Sequence, residues 1–243
     1  MLMGFLMIEE RLIANMVVRN EADRYLVPVL EDLLTYVDAL VITDDCSTDN
    51  TFEICEEYTD LLWQTNEPTF MTDEGKLRNF AWQNLSSVAK PGDWILCIDA
   101  DELLWSTRMP LKDLLYLSNY DVIGLEFINM WNYTHYRIDK AWAPHLCTKL
   151  FKFKPGGKIK DRKLACGSEP TYVEDIVRTG RWDARSGIKL QHLGYMRDAD
   201  KKDKHERYMT IDGGKYHSGP HLQSIIDKSD KIILKEWDFE KIV

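Results

Sequence analysis

The 243-residue chain is 44% hydrophobic and 29% charged, an ordinary globular balance that excludes a disordered or fibrous protein. Its formal net charge of −9 excludes a general nucleic-acid binder, because attraction to phosphate needs a basic face. The cysteines Cys46, Cys55, Cys97, Cys147 and Cys166 are odd in number and form no C-x-x-C pair, so they read as reduced thiols of a cytoplasmic protein with no zinc signature.

The opening run from Met1 to Ile8 is apolar, lacks a basic segment before it and is too short to span a bilayer. It reads as a loosely held terminus or an alternative start. Leu12 to Val18 is the first predicted strand, ending at the polar group Arg19, Asn20 and Glu21. A helix is predicted from Ala22 to Tyr36, where Leu26, Val29, Leu30, Leu33 and Leu34 recur at three- and four-residue spacing. Ala39 to Ile42 is a second strand that runs into Asp44 and Asp45. The cluster from Asp44 to Thr51 reads as a loop leading into a helix, with Thr48 or Asp49 as its cap. Leu61 to Gln64 is a third strand, followed by a helix that starts around Asp73 and carries Lys76 and Arg78.

The fourth strand, Trp94 to Ile98, is five apolar residues in succession, the signature of a strand buried on both faces in a parallel sheet. It stops in Asp99, Ala100, Asp101 and Glu102. In an extended chain Asp99 and Asp101 share one side, which makes a site for a hard divalent cation such as magnesium or manganese. Strand and helix alternate at this spacing in crossover units, so the chain is expected to be an α/β protein with a mainly parallel central sheet. Ligands of such sheets bind beyond the carboxyl ends of the strands, and three successive ends here are polar.

The segments Met16 to Glu21, Val41 to Thr51, Gly75 to Asn79 and Ile98 to Glu102 resemble, in order and spacing, the family 2 glycosyltransferases, which have the GT-A (Rossmann-like) fold and use nucleotide-activated sugars. The resemblance covers residues 12 to about 105. It implies that Val18 and Arg19 line a base pocket with Glu21 nearby, and that Asp44 or Asp45 accepts hydrogen bonds from the nucleoside. It also implies that Lys76 and Arg78 approach the base or the diphosphate. Asp99, with Ala100 beside it, and Asp101 would hold the metal or the ribose. Uridine diphosphate sugars are the default donor, and a Mn2+ or Mg2+ ion the implied cofactor.

In the second half, Pro110 to Leu117 reads as a short helix and Val122 to Ile128 as a strand. Trp131, Tyr133, Tyr136 and Trp142 form either an acceptor platform or core filling. Cys147 to Phe153 alternates as an edge or half-exposed strand should. The basic run Lys152, Lys154, Lys158, Lys160, Arg162 and Lys163 reads as a solvated hairpin around Pro155 to Gly157, with an anionic-acceptor patch as the other reading. An inverting transferase needs a carboxylate to take the acceptor's proton, and the resemblance places it after the strand containing Lys149 to Phe151. Glu169 and Asp175 are the candidates for that base. Ile188 to Tyr195 reads as a last strand, and His192 resembles the late histidine that completes a GT-A metal site. Residues Asp198 to His217 are expected to form a helix in which Lys201, Lys202, Lys204 and Arg207 lie near the site or in water. His217 and His221, separated by Ser218, Gly219 and Pro220, are not read as a metal pair.

These readings give a GT-A-like domain over residues 1–195 and a helical extension over 196–243. The expected activity is metal-dependent sugar transfer from a nucleotide diphosphate donor to an acceptor hydroxyl, with inversion. A non-catalytic nucleotide-sugar-binding module is one rival reading. A nucleotidyltransferase is the other, although Arg19, Asn20 and Glu21 do not form the glycine-rich loop expected of it.

Overall fold

The computed structural model describes residues 10–106, 108–163, 167–212, 219–227 and 231–239. The Met1 to Ile8 run, Cys166 and His217 lie outside the described residues, as does the side chain of His221. The chain begins with β1 (Leu12–Val18), α1 (Leu26–Leu33), β2 (Ala39–Asp44), α2 (Thr51–Glu56), β3 (Leu62–Gln64), α3 (Glu74–Val88) and β4 (Trp94–Cys97). It continues through β5 (Glu102–Ser106), α4 (Leu111–Leu117), β6 (Val122–Asn129), β7 (His135–Arg137), β8 (His145–Lys152), α5 (Thr171–Arg178) and β9 (Ile188–His192). The last elements are α6 (Asp198–Asp212), α7 (Gly219–Ile225) and β10 (Leu234–Glu236).

An eight-stranded sheet has the order β3-β2-β1-β4-β8-β6-β9-β5. Parallel pairing joins β1 to β2 and β4, β2 to β3, and β6 to β9. Strands β8 and β5 run against their neighbours, so the sheet is mostly parallel with two reversed strands. The carboxyl ends of β1, β2, β4, β6 and β9 therefore share one edge with the amino ends of β8 and β5. That shared edge is what gathers the site.

Alternation along β1 and β4 divides the core into two layers, because successive side chains leave opposite faces of a strand. Leu12, Ala14, Met16, Trp94 and Leu96 face α1, whose Leu26, Val29, Leu30 and Leu33 are buried there. Ile13, Ile95 and Cys97 face the other way, onto Trp82 and Leu85 of α3 and Val173 of α5. Each such Leu, Ile, Val or Met side chain contributes about 1.5–3 kcal/mol of burial free energy. The expectation of a strand buried on both faces is met by β4.

Several local expectations need correction. Helix α1 is shorter than Ala22 to Tyr36, since turns occupy residues 22–25 and 34–36. Asn50 is the N-cap residue of α2, although Asp49 Oδ1 still accepts the Thr51 N–H at 3.0 Å and the Thr51 hydroxyl at 2.6 Å. Of the two readings of β8, the edge is wrong, since it lies between β4 and β6, and the half-exposed strand is right, with only Leu150 and Phe151 fully buried. Strand β9 is not the last strand, because β10 follows and pairs antiparallel with β7. After β8 the chain turns at Gly156, whose φ of +78° suits glycine, and continues to Lys163 as a loop with no returning strand.

That loop closes the amino end of α3. Glu74 and Gly75 donate their N–H groups to the carbonyls of Lys163 and Arg162 at 2.7 and 2.9 Å, while Asp73 Oδ1 caps the Lys76 N–H at 3.0 Å. Amides that a helix leaves unpaired at its start are thus satisfied. Half of the basic run is accounted for locally: Lys152 pairs with Glu10, Lys154 with Asp121 and Lys160 with Glu174.

Candidate active site

A cavity of about 670 Å³ opens where the strand ends meet, inside the range of roughly 300–1,000 Å³ usual for small-molecule sites. Val18, Arg19, Glu21, Asp45, Arg78, Asp99, Ala100, Asp101 and His192, all singled out in the sequence, line it.

Two loops form one wall. Asn20 and Cys46 hold φ angles of 52° and 55°, a conformation uncommon for residues with a side chain. The loops are tied across: the Asn20 N–H donates to Ser47 Oγ at 2.9 Å, and Asn20 Oδ1 accepts the Thr48 N–H at 2.8 Å. Asp45, fully buried, accepts the Thr69 and Phe70 N–H groups at 2.7 and 2.9 Å. Asp44 points into its own loop, where it accepts from the Ser47 amide and from Gln64 at 2.9 and 2.8 Å, and it does not line the cavity.

The acidic motif at the end of β4 is a turn rather than extended chain. The Glu102 N–H donates to the Asp99 carbonyl at 3.1 Å, and the Asp99 N–H donates to Glu102 Oε2 at 2.9 Å. The aspartates consequently diverge toward different partners instead of sharing a strand face. Asp99 receives Lys149 Nζ at 2.9 Å and has Arg78 at 3.6 Å. Burial would raise its pKa, but Lys149 and Arg78 outweigh burial and hold it below the usual carboxylate range. Glu102 shares the same lysine, with both oxygens at 2.6 and 2.7 Å, and burial pushes it up to about 7 even so.

Asp101 faces the opposite way, onto α6. Lys204 Nζ lies 3.1 Å from Asp101 Oδ2 and 2.8 Å from His192 Nε2, and these two acceptors are 3.4 Å apart. Strands β6 and β9 place Asn129 beside His192, and Asn129 Oδ1 meets His192 Nδ1 at 2.7 Å. An amide oxygen only accepts, so Nδ1 carries the hydrogen and the Nε2 lone pair faces Lys204. Burial and Lys204 keep the His192 pKa below its ordinary value, while Lys204 outweighs burial to hold Asp101 well below its own.

Asp99, Asp101 and His192 were expected to hold a divalent cation. In this arrangement Asp101 Oδ2 and His192 Nε2, two of the atoms that would face an ion, both lie against the Lys204 ammonium. Among the described residues no group of three or more His, Cys, Asp or Glu side chains is placed to hold a metal.

Residues 15–107 match the model of the Glycosyl transferase family 2. The S. aureus TarS fragment 1-349 in complex with UDP-GlcNAc superimposes with a TM-score of 0.50 at 16% identity, over 89% of this chain and 70% of that one. The same fragment in complex with UDP also gives 0.50 at 16%, over 89% and 69%. The chain shares the fold of the TarS fragment, and its residues 15–107 carry the match to the family-2 model. It is also 24% identical over 205 residues to the uncharacterized proteins Mb3815c of Mycobacterium bovis and Rv3786c of Mycobacterium tuberculosis, with 79% of this chain and 49% of each of them matched. The chain thus spans about half the length of the curated relatives it matches.

Within this fold, Lys76, Glu169 and Asp175 do not line the cavity. Lys76 is exposed, with Glu67 3.6 Å away. Asp175 is exposed on α5 and pairs with Arg178 at 3.1 Å. Glu169 is half-buried beside the end of β4, where the adjacent Ser168 carbonyl meets Cys97 Sγ at 3.4 Å. Sequence reading assigned no role in the site to Arg24, Asn129 or Lys149, all of which line the cavity, and counted Glu102 only among the acids at the end of β4. It left Lys204 and Arg207 open, and both line it too. Among the described residues, two polar atoms of this lining, Glu21 Oε2 and Arg207 Nε, are buried without a hydrogen-bond partner. Most of the aromatic segment is core: Trp131 and Trp142 pack with Tyr195, Leu222 and Ile225 beneath Arg137. Trp142 also reaches the cavity, and Tyr133 stays exposed.

Proposed function

We propose that the protein transfers a sugar from a nucleotide diphosphate donor, a uridine diphosphate sugar in the first instance, to an acceptor hydroxyl with inversion. The observation that carries this reading is the cavity itself: Asp45, Arg78, Asp99 and Asp101 converge from separate strand ends and helices on one space of ligand size. The unpartnered Glu21 Oε2 and Arg207 Nε support it, since buried polar atoms are ordinarily satisfied and a bound ligand would satisfy these. The donor class is carried over from the TarS fragment, which was crystallised in complex with UDP-GlcNAc and with UDP.

The nucleoside lies against Val18, Arg19 and Asp45. The diphosphate lies toward Arg78, Lys149 and Lys204, where guanidinium and ammonium groups offer charge-assisted hydrogen bonds. In the transfer step the acceptor oxygen attacks the anomeric carbon and gives its proton to a carboxylate. The bond from that carbon to the β-phosphate oxygen breaks, and its electron pair leaves with the nucleoside diphosphate. A single displacement of this kind inverts the anomeric centre. Glu169 is the base in this reading rather than Asp175, because the Ser168 carbonyl just before it meets Cys97 Sγ, two residues ahead of Asp99, whereas Asp175 points to solvent on α5.

That neither candidate lines the cavity favours one second reading, a nucleotide-sugar-binding module without turnover. A thermal-shift screen of nucleoside diphosphates identifies the donor base, since a ligand held only by the native state raises its stability. Donor consumption by wild type, Glu169→Gln and Asp175→Asn then separates the readings. Expected is a fall of about 100-fold or more for Glu169→Gln and little change for Asp175→Asn. Binding without donor consumption by the wild type selects the module.

A further inference from the structure

We propose that the Lys204 ammonium is the resident cation of the site, taking the place of a divalent metal beside the donor diphosphate. The inference rests on the reading above and adds to it the identity of the group that neutralises the leaving phosphate.

The position is built, and Lys204 does not reach it by chance. Lys204 is only 7% exposed and bridges Asp101 Oδ2 and His192 Nε2. Gly194 leaves the space for it: a Cβ there would lie 2.1 Å from Lys204 Nζ and 2.3 Å from Asp101 Oδ2. Helix α6 is pinned four residues before the lysine. Asp200 accepts the Tyr25 hydroxyl at 2.8 Å and Arg197 Nε at 2.9 Å, with Arg24 Nε at 3.4 Å. The base of the cluster is likewise fixed, since Asn129 holds the His192 ring in the tautomer that accepts from an ammonium.

An ammonium has three N–H groups, and two of them are spent on Asp101 and His192. One remains for an anionic oxygen, on the cavity side where Arg24 and Arg207 also stand and the Tyr195 ring lies 4.6 Å from Nζ. As the bond between the sugar and the β-phosphate oxygen breaks, negative charge grows on that phosphate. Lys204 meets it with a fixed positive charge, already oriented by Asp101 and His192. A divalent ion at this place would need the same Asp101 and His192 lone pairs.

Calorimetric titration of UDP, first in EDTA and then with Mn2+, tests the proposal on the wild type without any substitution. The expected result is binding in EDTA that Mn2+ changes by less than about threefold, and a loss of about tenfold or more in Lys204→Met, the size of one charge-assisted hydrogen bond. Wild-type binding that appears only with Mn2+, or unchanged binding by folded Lys204→Met in EDTA, overturns the inference and leaves the transferase reading standing. Failure of UDP and of every other nucleoside diphosphate in the screen to bind under either condition overturns the reading beneath it.

Discussion

Glu21 is the residue whose protonation reports most directly on the cavity. Burial lifts its pKa from the ordinary 4.5 to about 7, against the pull of Arg24 and with the help of Asp101. Between those two values the native state holds a proton that the unfolded chain has released, so stability falls as pH rises through the window. Glu102, lifted to about 7 by burial, acts in the same direction. Glu21→Gln is therefore expected to reduce the fall without abolishing it, by up to about 3 kcal/mol. Urea unfolding of wild type and variant below and above the window measures this, and identical pH slopes would show that Glu21 is ionised in the fold.

The elements differ in how openly the sequence declared them. Strands β1, β2 and β4 were legible because each is an apolar run ending abruptly in polar residues, and the acids at those ends marked the site. The turn from Asp99 to Glu102 was not, since alternation along an extended chain is the simplest geometry for three acids in four residues. Strand β5 went unread because Leu103, Leu104 and Trp105 directly follow the acids with no turn signal to separate them. Helix α6 has the least legible role of all. It sends Asp200, Lys204 and Arg207, a charged face, toward the cavity, where hydrophobic periodicity has nothing to detect. Lys204 meets Asp101 across 103 positions of sequence, a contact that spacing does not reveal. Helix α3 carries a sharper test. A Cβ on Gly75 would lie 2.4 Å from the Arg162 carbonyl oxygen, a backbone atom that moves only with its loop. Gly75→Ala is expected to cost about 1–3 kcal/mol in denaturant unfolding; a neutral substitution would mean that the loop yields freely.

At the scale of the whole molecule, one topological fact organises the chemistry. The reversed strands β8 and β5 bring Lys149, midway along β8, and Glu102, the first residue of β5, to the edge where the forward strands end. Lys149 and Glu102 from the reversed strands thereby join Asp99, Asp101 and His192, though nearly a hundred residues separate the first of these from the last. Among the described residues no helix is long and apolar enough to cross a membrane. The C-terminal part completes the site by supplying α6, and β10 ties back onto β7. A crystal structure of the protein with UDP tests the central claim most directly. The expected result is a nucleoside against Val18 and Asp45, with its diphosphate beside Arg78, Lys149 and Lys204. UDP bound elsewhere, with this cavity empty, would contradict it.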